Sequence, residues 1–182
     1  MSRTHSRALL LVLGLVGLMG WPAGARAEQP ARELPLHVYF TTGATVYLSD
    51  ARTMGGVGGG FGIRGTLNER FFLQAELSSL LIAGTVTNLR VGAGLQRPGL
   101  YTPAVLLTLG ALFGDRMAFL TPSHPTPVRG PAVTLGVTVA PLRFTHGWAQ
   151  VSLLQLGVGV GSDFPGLGLS YHLGLAEVGL SF

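Results

Sequence analysis

From residue 34 to its end, the chain repeats one pattern: segments of about ten residues in which apolar side chains alternate with polar ones or glycine, separated by turn-formers. A period of two places successive side chains on opposite faces of an extended strand. In residues 34–48, Leu36, Val38, Phe40, Ala44, Val46 and Leu48 oppose His37, Tyr39, Thr41, Thr45 and Tyr47. Residues 56–66 set Val57, Phe61 and Ile63 against Gly58, Gly60, Gly62 and Arg64. Next, Phe71, Leu73, Ala75 and Leu77 oppose Gln74, Glu76 and Ser78, and Leu89, Val91, Ala93 and Leu95 oppose Asn88, Arg90, Gly92, Gly94 and Gln96. A fifth segment runs through Val105, Leu107, Leu109, Ala111 and Phe113, and a sixth through Val133, Leu135, Val137 and Val139. The seventh (148–160) and eighth (167–182) change phase near Leu153-Leu154 and Leu175-Ala176, as a strand with a β-bulge does.

These strands present their apolar faces to something other than water. Only 11% of residues are charged and the mean hydropathy is +0.46, whereas about a quarter of a soluble domain is charged. Beyond the N-terminus no stretch of spanning-helix length lacks an interrupting glycine, proline or polar residue. A lipid-facing sheet must close on itself, because an open edge leaves backbone groups unsatisfied in hydrocarbon. The expectation is therefore an all-β fold, an eight-stranded antiparallel up-and-down transmembrane β-barrel. With both termini on the inner side, short inner turns fall near 67–69, 97–102 and 140–147. Outer loops then fall near 49–55, 83–85, 114–130 and 161–166, of which the second is short for an outer loop and the third is proline-rich. Phe71, Tyr101, Trp148 and Phe182 fall on one rim, as an interfacial aromatic girdle would.

The N-terminus has the order of a secretory signal: basic Arg3 and Arg7, an apolar run from Ala8 to Met19, the breaker Gly20-Trp21-Pro22 and the small-x-small Ala25-Arg26-Ala27. This divides the chain into a cleavable signal peptide (1–27) and a barrel domain (28–182), exported to the bacterial outer membrane. Nine basic and eight acidic residues remain after cleavage, so the mature chain is nearly neutral and a nucleic-acid partner is not expected. With no cysteine, stability rests on hydrogen bonding and packing.

The length, strand count and last residues resemble those of the small OmpA-type and OmpX-type outer-membrane barrels. The most specific element is the ending Ala176-Glu177-Val178-Gly179-Leu180-Ser181-Phe182. Its alternating Ala176, Val178, Leu180 and terminal Phe182 resemble the signal read by the barrel-assembly machinery, although Leu180 stands where Tyr is frequent and Glu177 where glycine is. The resemblance implies outer-membrane lipids, including lipopolysaccharide, as surroundings, the assembly machinery as a partner during biogenesis, and no cofactor. It also implies a structural or surface-interaction role with an external partner that the sequence does not identify.

Five sets of residues invite a chemical reading. Arg64, Glu76 and Arg90 face inward on successive strands, where charges must pair or meet water; an internal network is favoured, with a gate or polar conduit as the alternative. Gly60-x-Gly62-x-x-Gly65 matches a dinucleotide fingerprint in form, but the alternation continues through it where that motif needs a helix. Inward glycines would instead leave room beside Tyr39 and Tyr47. Because some barrels that resemble this one are lipid-A acyltransferases or deacylases, Ser170, His172 and Asp163 form the catalytic candidate set, which the sequence does not favour. Inward Phe72, Leu106 and Leu112 leave open a channel or binder for small hydrophobic solutes. His124 and His146 stand apart from other ligand types, so no metal site is expected.

Overall fold

The computed structural model describes residues 36–114, 130–164 and 166–182. The signal segment and His124 lie outside them. Every element among the described residues is a β-strand: β1 (Leu36–Ser49), β2 (Thr53–Asn68), β3 (Phe71–Ile82), β4 (Val86–Gln96), β5 (Ala104–Gly114), β6 (Ala132–Ala140), β7 (Leu142–His146), β8 (Ala149–Ser162) and β9 (Leu167–Ser181). From β1 to β6 each strand pairs antiparallel with the next, β6 and β7 both pair with β8, β8 pairs with β9, and β9 returns to pair with β1. The result is a closed eight-stranded up-and-down barrel in which β6 and β7 are two halves of one wall strand.

Residues 140–147 do not form a turn. Pro141 interrupts the ladder because it has no N–H to donate, and the strand then resumes as β7 and turns only at Gly147-Trp148. On its other side β7 is flanked by residues 100–102: Tyr101 bridges Phe144, and the Thr102 N–H donates to the Arg143 carbonyl at 2.8 Å.

The phase changes are real features of the wall. Thr42 faces Ala176 but Gly43 faces Gly174, so Leu175 is an extra residue against β1. On β8 the residue opposite Leu175 is Leu154, which takes a left-handed φ of 61°. Next to it, Val139 pairs Leu156 while Leu142 pairs Leu153. Pro141 therefore fills the corresponding place on the third adjacent strand. Three neighbouring strands each carry one additional residue at the same level.

Burial is inverted relative to a water-soluble protein. Large apolar residues point outward on all eight wall strands, with Phe61, Leu107, Leu135, Val158 and Leu169 each half or more exposed. The buried face is mostly polar, holding Arg64, Arg143, Glu76, Glu177, Asn88, Gln74, Gln150 and several threonines. Tyr101, Trp148 and Phe182 are exposed at the turn end, with Phe71 half-buried beside them, and the Tyr101 and Phe144 rings lie 5.5 Å apart.

Candidate functional site: the barrel interior

Two apolar layers pack inside the barrel. At the loop end Tyr47, Met54, Leu80, Val86, Leu112 and Ala132 pack together; toward the turn end Phe72, Ala104, Leu106 and Ala140 do so. Phe72 and Leu106 share one layer while Leu112 belongs to the other, so the three do not line one continuous apolar path.

Glycines make room for the two buried tyrosines. A Cβ on Gly62 would lie 2.2 Å from Cζ of Tyr39, and one on Gly168 would lie 2.7 Å from the Tyr47 ring. Each tyrosine rests flat on the bare backbone of a neighbouring strand, which is the role expected of the inward glycines.

The sequence-predicted charges are all inside, but they divide into two groups. Glu76 and Arg90 are direct register partners, with Arg90 Nη1 3.7 Å from Glu76 Oε1. Arg64 instead meets Glu177, which the sequence reading treated only as a departure from the terminal signal. Arg64 Nη1 and Nη2 donate to Glu177 Oε1 and Oε2, each at 2.9 Å. The same guanidinium donates to Gln74 Oε1 (3.0 and 3.2 Å) and to Gln150 Oε1, and lies 4.8 Å from the Tyr39 ring centre. Gln155 Nε2 donates to Glu177 at 2.9 Å, and Gln150 Nε2 to Thr145 at 2.9 Å. This satisfied network ties β2, β3, β7, β8 and β9 together. Arg143, fully buried nearby, is the second charge missed, because the segment that carries it read as a turn. Its position between outward Leu142 and Phe144 is the alternation that could have revealed it.

Higher in the barrel His172 bridges two strands. Its Nε2 is 2.7 Å from Arg90 Nη1, and since a guanidinium has only donors, Nε2 must accept. Nδ1 then carries the hydrogen and donates to Thr45 Oγ1 at 3.0 Å. Arg90 Nη2 donates to Thr138 Oγ1 at 3.1 Å. Between these groups lies a cavity of ≈ 30 Å³ lined by Thr45, Asn88, Thr108, Thr134, Ser170 and His172, among others. That is room for a water or two, which would supply the donor missing at the buried Asn88 Oδ1.

The catalytic candidates are only partly brought together. Ser170 and His172 line this cavity from one face of β9, but both ring nitrogens of His172 are engaged by Arg90 and Thr45. Asp163 lies beyond Ser162, while His172 pairs Gly157, six positions lower on β8 and about 20 Å away along the strand. There Asp163 accepts from Ser49 Oγ at 2.5 Å and from the Gly166 N–H at 2.9 Å, with Arg52 Nε at 4.0 Å. Arg52 Nη1 in turn donates to the Gly130 carbonyl at 2.7 Å, so this cluster clamps three loop-end segments together. Among the described residues no group of three or more metal-ligating side chains occurs.

No family model and no curated protein matches the chain. Among solved structures it is similar to Neisserial surface protein A (NspA), at 12% identity over 82% of this chain and all of that one, with a TM-score of 0.48. It is also similar to Ail, the attachment invasion locus protein of Yersinia pestis, solved with the heparin analogue sucrose octasulfate. There the identity is 13%, the cover 83% of this chain and all of that one, and the TM-score 0.42.

Proposed function

We propose that this chain is an integral outer-membrane barrel with a structural or surface-interaction role, which holds its loop-end segments outside the cell on a closed, side-chain-filled wall. The observation that carries this reading is the inversion of burial. A closed ladder leaves no strand edge, the outward face is apolar around the whole barrel, and the ions and amides are inside. In water such an outer face would be a continuous exposed apolar surface far larger than a soluble monomer carries. The interior supports a scaffold rather than a pore, since buried side chains fill it, two apolar layers together with the polar network.

The partners follow from the same surfaces. Outer-membrane lipids, lipopolysaccharide among them, would cover the apolar band. Val178, Leu180 and Phe182 all face outward and are exposed, as residues read by the assembly machinery must be. The connection between β5 and β6 is the longest at the loop end and the natural place for an external partner. Fractionation of the native cell, together with a heat-dependent gel-mobility shift of the detergent-folded protein, tests the reading. Recovery with the outer membrane and a clear shift are expected; a water-soluble, unshifted protein overturns it. An epitope placed within residues 115–129 should be reached by antibody on intact cells.

A further inference from the structure

We propose that the lower half of the barrel interior binds one small monovalent anion, of halide size, against Arg143.

Arg143 has no solvent exposure, and its Nε, Nη1 and Nη2 have no hydrogen-bond partner among the described residues. Ser152, its register partner on β8, is equally buried and its hydroxyl is likewise unpartnered. A fork of guanidinium donors and a hydroxyl, all lacking acceptors, therefore share one inward-facing position. Donors of this kind suit an anion and cannot suit a cation.

The distribution of charge points the same way. Arg64 and Arg143 flank a single ring, their guanidinium carbons 5.3 and 5.4 Å from the Phe72 centre. Two cations thus crowd one aromatic ring, and the nearby carboxylate is taken: both oxygens of Glu177 accept from Arg64, and one also accepts from Gln155. Glu76 lies beside Arg90. Among the described buried charges Arg52 and Asp163 offset each other at the loop end, and Arg64, Arg90 and Arg143 are left with only Glu76 and Glu177, so one positive charge is over. A buried ion without a counter-charge is strongly unfavourable. The excess of one sets the ligand's charge, and an eight-stranded interior, just wide enough for side chains, sets its size.

The test uses the mature barrel refolded in detergent, with unfolding followed in sodium chloride and in sodium gluconate at matched ionic strength. Once the site is filled, each tenfold rise in chloride should lower the unfolding equilibrium constant about tenfold, because the ligand binds only the folded state. The Arg143→Met variant should show no such dependence and should behave alike in both salts. Should that variant fail to refold, wild-type crystals grown in sodium bromide give the answer: an anomalous peak is expected within hydrogen-bond reach of the Arg143 nitrogens. Superimposable chloride and gluconate curves for the wild type, chloride dependence retained by Arg143→Met, or bromide crystals with no peak at Arg143 each overturn the proposal.

Discussion

Arg64 on β2 and Glu177 on β9 reach toward each other across the inner face of β1 and meet through two parallel contacts of 2.9 Å. The pair closes over the strand that separates them, with the Tyr39 ring of β1 beneath the guanidinium. Replacing Glu177 with Gln leaves the fully buried Arg64 guanidinium without its carboxylate. The expected loss is about 3–5 kcal/mol, the cost of removing one partner of a buried pair. The double replacement Arg64→Met, Glu177→Leu should recover a large part of it. Urea unfolding of the refolded barrel measures both; equal stability of Glu177→Gln and wild type would refute the pairing.

Gly62→Ala should destabilise the barrel by about 1–3 kcal/mol, as overpacking does. The added methyl meets Tyr39 Cζ, and Gly179 of the other neighbouring strand lies close against Tyr39 Cβ, which limits how far the side chain can move away. In a Tyr39→Ala background the same substitution should cost much less. A double-mutant cycle reads this coupling directly.

The refolded protein should produce no steady conductance in planar bilayers, because buried side chains, apolar and polar, fill the interior. Thinning one layer, with Met54→Ala and Leu112→Ala, should leave the barrel closed at Phe72 and Leu106. Conductance is expected only when Phe72→Ala and Leu106→Ala are added. A wild-type protein that conducts steadily would contradict the sealed interior.

Leu154→Gly should be milder than Leu156→Gly. Both remove a lipid-facing side chain, but Leu154 sits at a φ of 61°, where glycine relieves about 1–2 kcal/mol of backbone strain. Leu156 sits in regular strand and gains no such relief. Side-by-side urea midpoints decide the matter, and equal losses would mean that Leu154 is unstrained.

Alternation made the wall legible because lipid and a filled interior impose a period of two on every strand. It gave the inward positions of Arg64, Glu76 and Arg90, and the register partnership of the last two follows from a short hairpin. It could not give Glu177 as the partner of Arg64, since that contact needs closure of the first strand against the last. Arg143 stayed hidden for a local reason: Pro141 is a turn signal wherever the chain can turn, and here paired neighbours on both sides keep the strand extended. For Ser170 and His172 the shared face was readable, but the capture of both imidazole nitrogens by Thr45 and Arg90, on other strands, was not.

The three additional residues, Pro141, Leu154 and Leu175, act as one event. Where two adjacent strands both carry the extra residue, their mutual pairing is undisturbed, as the continuous ladders of β8 with β7 and β9 show. The mismatch emerges only at the two borders, where β7 meets residues 100–102 and where β9 meets β1. In effect the lower part of three strands forms a panel slid by one residue against the other five, and the slide entering at one border leaves at the other, so the cylinder still closes. Every polar residue on that panel depends on the slide for its orientation. In unbroken strands of the same sequence, Arg143, Ser152 and Glu177 would all point into lipid.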